Sequence, residues 1–213
     1  MHNMNILYYN PNKMKMKIDA RYKYSRTWFI NSEIHKNLAN VVMKTTENRI
    51  LEIGCFEGLS SVFFADNFIN HPNSTLTCVD PFLTISNNDH REFLSNNEEH
   101  TFDYNISICD NSNKVTVHKV TSDVFFESIS ISKETYNIIY IDGCHESDVL
   151  MRDMENSFKI LELGGIMWMD DYKGGDGIRI KGVIDTFIEK YKDLCEIVHQ
   201  GYQLAIKKTE NIS

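Results

Sequence analysis

Apolar positions along the chain gather into short runs separated by stretches with helical period. The runs are RILEIG (49–54), TLTCVD (75–80), KVTVHKV (114–120), YNIIYID (136–142) and GGIMWMD (164–170). Between them lie GLSSVFFADNFI (58–69), a polar stretch from about His90 to Cys109, SDVFFESI (122–129) and ESDVLMRDMENSFKILEL (146–163). Near-continuous apolar strands that alternate with helices predict a parallel sheet covered on both faces. Upstream, SEIHKNLANVVMK sets Ile34, Leu38, Val41 and Val42 on one helical face, with Ser32 as the expected N-cap. Downstream the pattern changes. A helix over about 178–192 leads into CEIVH, a Gln200–Gly201 turn and YQLAIKK, which reads as an antiparallel hairpin. The expected fold is α/β: a seven-stranded sheet, mostly parallel with an antiparallel C-terminal hairpin strand, and helices on both faces.

The first 30 residues are polar and aromatic without clear period, so 1–30 is expected to form an arm or lid. Residues 31–208 then make a single domain and 209–213 a tail. A length of 213 residues suits one such domain. Twenty-two basic against 30 acidic residues give a net charge of −8, which argues against a nucleic-acid partner held through a broad phosphate-facing surface. No apolar run approaches the roughly 20 residues that span a bilayer, and the N-terminus lacks the apolar core of a signal peptide. Five cysteines without a C-x-x-C pair point to neither a disulfide framework nor a zinc knuckle. The expectation is a cytoplasmic protein with no membrane partner.

In open α/β sheets, ligands bind beyond the carboxyl ends of the strands. The first strand runs into L-E-I-G-C-F-E-G-L-S (51–60), where Gly54 and Gly58 bracket a tight turn. A dinucleotide fingerprint needs a second glycine for the pyrophosphate, and Phe56 stands there instead, which disfavours a nicotinamide-dependent reductase. The next strand ends in Asp80, which can accept both hydroxyls of a ribose. A ribose carboxylate beside a non-phosphate turn suits S-adenosylmethionine (SAM). Asp142 ends the fourth strand, and Asp170 with Asp171 ends the fifth. If these strands are neighbours, three carboxylates converge, and a cation such as Mg²⁺, or Ca²⁺ or Mn²⁺, resolves their repulsion. The bland alternative is one aspartate capping a helix and two solvated ones.

Glu52, Gly54, Phe56, Gly58 and Ser60 resemble the E-x-G-x-[FY]-x-G-x-S motif of class I SAM-dependent methyltransferases, particularly the metal-dependent O-methyltransferases. The resemblance continues through CVDPF (78–82), FDYNI (102–106), IYIDGCH (139–145), LGGIMWMDDY (163–172) and HQGYQLAI (199–206). The pattern is most similar to that of the sugar- and antibiotic-tailoring, macrocin O-methyltransferase-like enzymes. The resemblance implies a Rossmann-like fold, with Glu52 and Gly54 near the methionine end of SAM, Asp80 on its ribose and Ser122 near its adenine. It further implies that Asp142, Asp170 and Asp171 ligate a divalent metal that activates an acceptor hydroxyl. Several such enzymes carry a general-base aspartate two residues after the first. Here that position is Cys144, and His145, whose neutral imidazole can accept a proton, becomes the candidate base.

The acceptor is then a small-molecule hydroxyl, a sugar or glycan precursor by resemblance, and the assembly a monomer or homodimer. Two other readings stay open: a catechol-type methyltransferase of a phenolic diol, and a SAM-binding module without catalysis. Trp28 and Phe29 either cap the acceptor site or anchor the arm. His90 and Asn105 are candidate substrate contacts.

Overall fold

The computed structural model describes residues 18–83, 97–129, 135–174 and 177–212. Its elements are α1 (Ile34–Val41), β1 (Arg49–Ile53), α2 (Leu59–Phe68), β2 (Thr75–Val79), α3 (Glu98–Ser107), β3 (Val115–His118) and α4 (Ser122–Ser128). There follow β4 (Tyr136–Ile141), α5 (Ser147–Ile160), β5 (Leu161–Met169), α6 (Gly177–Tyr191), β6 (Cys195–Gln200) and β7 (Leu204–Lys208). The strand order is β3-β2-β1-β4-β5-β7-β6. The first five strands pair in parallel, and β7 runs antiparallel to both β5 and β6. The sheet therefore has the expected seven strands and the expected reversed final strand.

Strand side chains alternate between two cores. Ile50, Leu76, Cys78, Ile138, Tyr140, Ile166, Trp168 and Ala205 face α1, α2 and α3. Leu51, Ile53, Val79, Ile139, Ile141, Met167, Met169 and Ile206 face α4, α5 and α6. Both sides of the central strands are thus dry, which is why these runs show no polar alternation. Trp168 and Met169, both fully buried, pack in the sheet. No helix among the described residues is long and apolar enough to cross a membrane.

One local expectation is corrected. Ser32 does not cap α1: its hydroxyl meets His35 Nδ1 at 3.2 Å, and the helix begins after Glu33, whose side chain makes no cap bond. The amides of Glu33 and Ile34 instead donate to Gln203 Oε1 on the turn into β7, at 2.8 and 2.7 Å. A cap supplied from 169 residues away has no local sequence signal. Residues 18–31 lie against α2 and α3: Tyr22 donates to Asp66 at 2.8 Å, and Phe29 packs on Phe63.

Candidate active site

The chain leaves β1 at Ile53 and turns through 54–58 into α2. Gly54 and Gly58 have φ of +85° and +83°. A Cβ on Gly54 would sit 2.1 Å from the carbonyl oxygen of Asp142, so glycine is what lets the ends of β1 and β4 meet. Phe56, Phe82 and Asp171, although not glycines, also take positive φ (50°, 47° and 55°), so left-handed backbone clusters around these strand ends. Asp80, just beyond β2, braces the turn: its Oδ2 accepts from the amides of Cys55 (2.7 Å) and Phe56 (3.0 Å), and its Oδ1 from Phe82 (2.7 Å). It stays partly exposed, with one lone pair of Oδ1 left for a further donor.

Glu52 and Ser60 lie beneath this turn. The Glu52 carboxylate is fully buried and accepts from the hydroxyls of Ser60 and Ser61, the latter at 2.5 Å, with the Cys78 thiol at 3.6 Å. Burial pushes its pKa up to about 7, against the lowering pull of those donors. The two residues pin the first turn of α2 to β1. Gly58 faces the Phe102 ring, which a Cβ would meet at 2.9 Å. On the open side, Phe56 meets the Trp28 ring at 5.2 Å, and Trp28 itself is 61% exposed. Ser122 opens α4 behind Thr121, whose side chain caps the helix by accepting from Val124.

The three aspartates do meet. β4 and β5 are neighbours with Ile141 opposite Met169, so Asp142 and Asp170 leave adjacent strands side by side. The Tyr140 hydroxyl lies between them, 2.6 Å from Asp170 Oδ2 and 3.0 Å from Asp142 Oδ2. Burial, reinforced by mutual repulsion, raises the pKa of Asp142 well above the carboxylate range and raises that of Asp170. Asp171 is held low by its hydrogen bond with His145, whose Nε2 stands 3.2 Å away, and by the Tyr202 hydroxyl. Asp142, Gly143, Cys144, His145, Asp170 and Asp171 line one cleft.

Asp142, His145 and Asp171 each present a ligand atom within 4.8 Å of the others. The two carboxylates suit a divalent cation such as Mg²⁺ or Mn²⁺, and the imidazole beside them can either join the ligand set or accept a proton, but not both at once. Asp170 has less to offer, because its Oδ1 accepts from the Asp171 amide at 2.7 Å and its Oδ2 meets Tyr140.

Tyr140, Gln203 and Tyr202 were not among the expected site residues. Tyr140 meets Asp142 at strand spacing, two residues on along the same face, but its contact with Asp170 crosses the sheet, and Gln203 and Tyr202 arrive from the C-terminal hairpin, which no sequence spacing encodes. Asn105 is corrected: it is fully buried and joins Lys23 to the carbonyl of Glu57, so it faces no substrate. His90 lies outside the described residues.

A methyltransferase-domain family model matches residues 51–172, more than half of the chain, and the chain belongs to that family. Together with the Rossmann-like sheet, this gives the chain a methyltransferase domain of the SAM-dependent kind. It is 27% identical over 160 residues to the uncharacterized protein R132 of Acanthamoeba polyphaga mimivirus; the match covers 75% of this chain and 66% of that protein. Among solved structures it resembles the O-methyltransferase TomG of Streptomyces achromogenes, involved in tomaymycin synthesis and solved with SAM. There the TM-score is 0.60 at 16% identity, over 84% of this chain and 79% of the other. An rRNA methylase of Streptococcus thermophilus aligns with a TM-score of 0.57 at 12% identity, over 83% of this chain and 94% of the other.

Proposed function

We propose that the protein transfers the methyl group of SAM to a hydroxyl of a small molecule, a sugar or glycan precursor in first place, with a divalent cation at the strand-end carboxylates. The observation that carries this reading is the convergence of Asp142, Asp171 and His145 in one cleft, next to the glycine turn and Asp80. The net charge of −8 favours a small acceptor over a phosphate backbone, although one structural relative is an rRNA methylase.

Each residue then has a task. Gly54, Phe56 and Gly58 shape the floor against which SAM lies, and Glu52 and Ser60 hold that floor from below. Asp80 accepts from one ribose hydroxyl with the Oδ1 lone pair that its three amide donors leave free, and Ser122 borders the adenine. Asp142 and Asp171 would hold the cation, with Asp170 beside them. A cation bound there lowers the acceptor hydroxyl's pKa and orients it, while SAM supplies an electrophilic methyl. His145, turned towards Asp171, receives the proton that the acceptor oxygen releases as its bond to the methyl carbon forms and the methyl–sulfur bond breaks, leaving S-adenosylhomocysteine.

The test is methyl transfer from labelled SAM to a panel of sugars and nucleotide sugars, with and without EDTA. Activity that EDTA abolishes and Mg²⁺ or Mn²⁺ restores is expected. Full activity in EDTA would mean the carboxylates serve structure alone. Turnover of catechols but not sugars would move the acceptor to the phenolic class.

A further inference from the structure

Tyr140 occupies an unusual position for a core residue of a central strand. It is fully buried, with its ring packed against Phe64 at 5.7 Å and Phe29 at 6.1 Å between centroids. Its hydroxyl nevertheless ends between two carboxylates, 2.6 Å from Asp170 Oδ2 and 3.0 Å from Asp142 Oδ2. Behind it, Gln203 Nε2 donates to the same hydroxyl at 3.5 Å. Gln203 is itself immobilised, because its Oε1 accepts from the amides of Glu33 and Ile34 and from the indole of Trp168 at 2.9 Å.

A phenol has one hydrogen. It can donate to one of these carboxylates at a time, and the other then faces an oxygen lone pair. The hydroxyl alone cannot compensate both charges: from the buried side of the sheet its hydrogen holds one carboxylate oxygen, and the other carboxylate stays in contact without that bond. Positive charge supplied from the open side of the cleft completes the arrangement.

We infer that Tyr140, backed by Gln203, is the positioning residue that seats Asp142 against Asp170 so that Asp142 and Asp171 face one divalent cation. The inference rests on the metal-assisted reading above and adds a supporting layer that the ligand residues alone do not supply. Groups that orient metal-binding carboxylates typically change metal affinity by about 10–100-fold when removed.

The experiment measures Mn²⁺ binding to the whole protein by electron paramagnetic resonance, and S-adenosylhomocysteine (SAH) binding by calorimetry, in wild type and Tyr140→Phe. The substitution keeps the ring in its packing and removes only the hydroxyl. The expected result is an Mn²⁺ dissociation constant raised about 10–100-fold, with SAH affinity within about twofold and the melting temperature little changed. A merely structural role would shift SAH affinity and melting together and leave no separate effect on Mn²⁺. Gln203→Glu keeps an acceptor for the three N–H groups and removes the amide donor; it should also weaken Mn²⁺ binding, and it decides the matter if Tyr140→Phe does not fold. Equal Mn²⁺ affinity in wild type and variant overturns the inference while leaving the metal-assisted reading intact. A wild-type protein that takes up no Mn²⁺ overturns both.

Discussion

Replacing Gly54 with alanine tests the geometry of the cleft most directly. The new Cβ would stand 2.1 Å from the Asp142 carbonyl oxygen, 2.5 Å from its carbon and 2.7 Å from Gly143 Cα. Relaxed C···O contacts begin near about 3.3 Å, so backbone must separate from backbone by roughly 1 Å. That motion strains the bond from the Asp142 amide to the Ile53 carbonyl, now 2.8 Å, and losing it costs about 0.5–1.5 kcal/mol. Holding alanine at φ +85° adds about 1–2 kcal/mol. The sum is a destabilisation of about 1.5–3.5 kcal/mol, with Asp142 moved away from Tyr140 and Asp171. Gly164→Ala supplies the control, since Gly164 has φ +81° but nothing within 4 Å of its added Cβ. It should lose only the conformational part, about 1–2 kcal/mol, and bind SAH as wild type does. Urea unfolding of both variants, paired with SAH calorimetry, separates clash from backbone strain. Equal stability losses in the two variants, or wild-type SAH affinity in Gly54→Ala, would refute the claim that this close approach builds the site.

Three further outcomes are expected. Asp80→Ala should weaken SAM and SAH binding by about 1–3 kcal/mol, read by calorimetry, because it removes the ribose acceptor and leaves the Cys55, Phe56 and Phe82 amides without their partner. His145→Ala should lower kcat by about 10²–10⁴-fold with SAH affinity unchanged; an equal loss of Mn²⁺ affinity would make the imidazole a metal ligand instead of the base. Asp153, 1% exposed with Oδ1 lacking a partner, has its pKa raised by burial to about 6. Its native state therefore holds the proton more tightly than the unfolded chain, so stability is lost as pH rises from about 4 through 6, and Asp153→Asn should recover about 1–3 kcal/mol in unfolding measured at pH 8. An unchanged pH dependence in that variant would mean that burial does not perturb the carboxyl.

The sheet was legible because its central strands are apolar on both faces and each ends in a glycine or an aspartate. Strand neighbourhood carried the rest: once β4 lies beside β5, the meeting of Asp142 with Asp170 and Asp171 follows from chain direction alone. Boundaries were less legible. β5 begins at Leu161, three residues ahead of the expected Gly164, because α5 passes into it without a loop and Gly164 bends within the strand at positive φ. The inner layer of the site was barely legible. Tyr140 stands two residues before Asp142, on the same strand face, yet reads as one more aromatic in a core strand; its bond to Asp170 and the approach of Gln203 need the packed sheet. Asn105 misled for the opposite reason: a polar residue in a connecting segment suggests solvent, yet here it satisfies buried backbone groups of the arm and the glycine turn.

The long-range cap on α1 also orders events in time. While the chain is being synthesised, α1 can form its turns, but the acceptor for its leading amides arrives only with residue 203, after every other strand has been made. Eight residues make a marginal helix by themselves, so α1 should remain frayed until β7 slots between β5 and β6. That insertion is a late, non-local step of the kind that slows folding. The same residue that seats the first helix backs Tyr140, so the nascent protein acquires a sealed N-terminal helix and an ordered carboxylate cleft in one closing event, and a chain stopped short of the final hairpin would have neither.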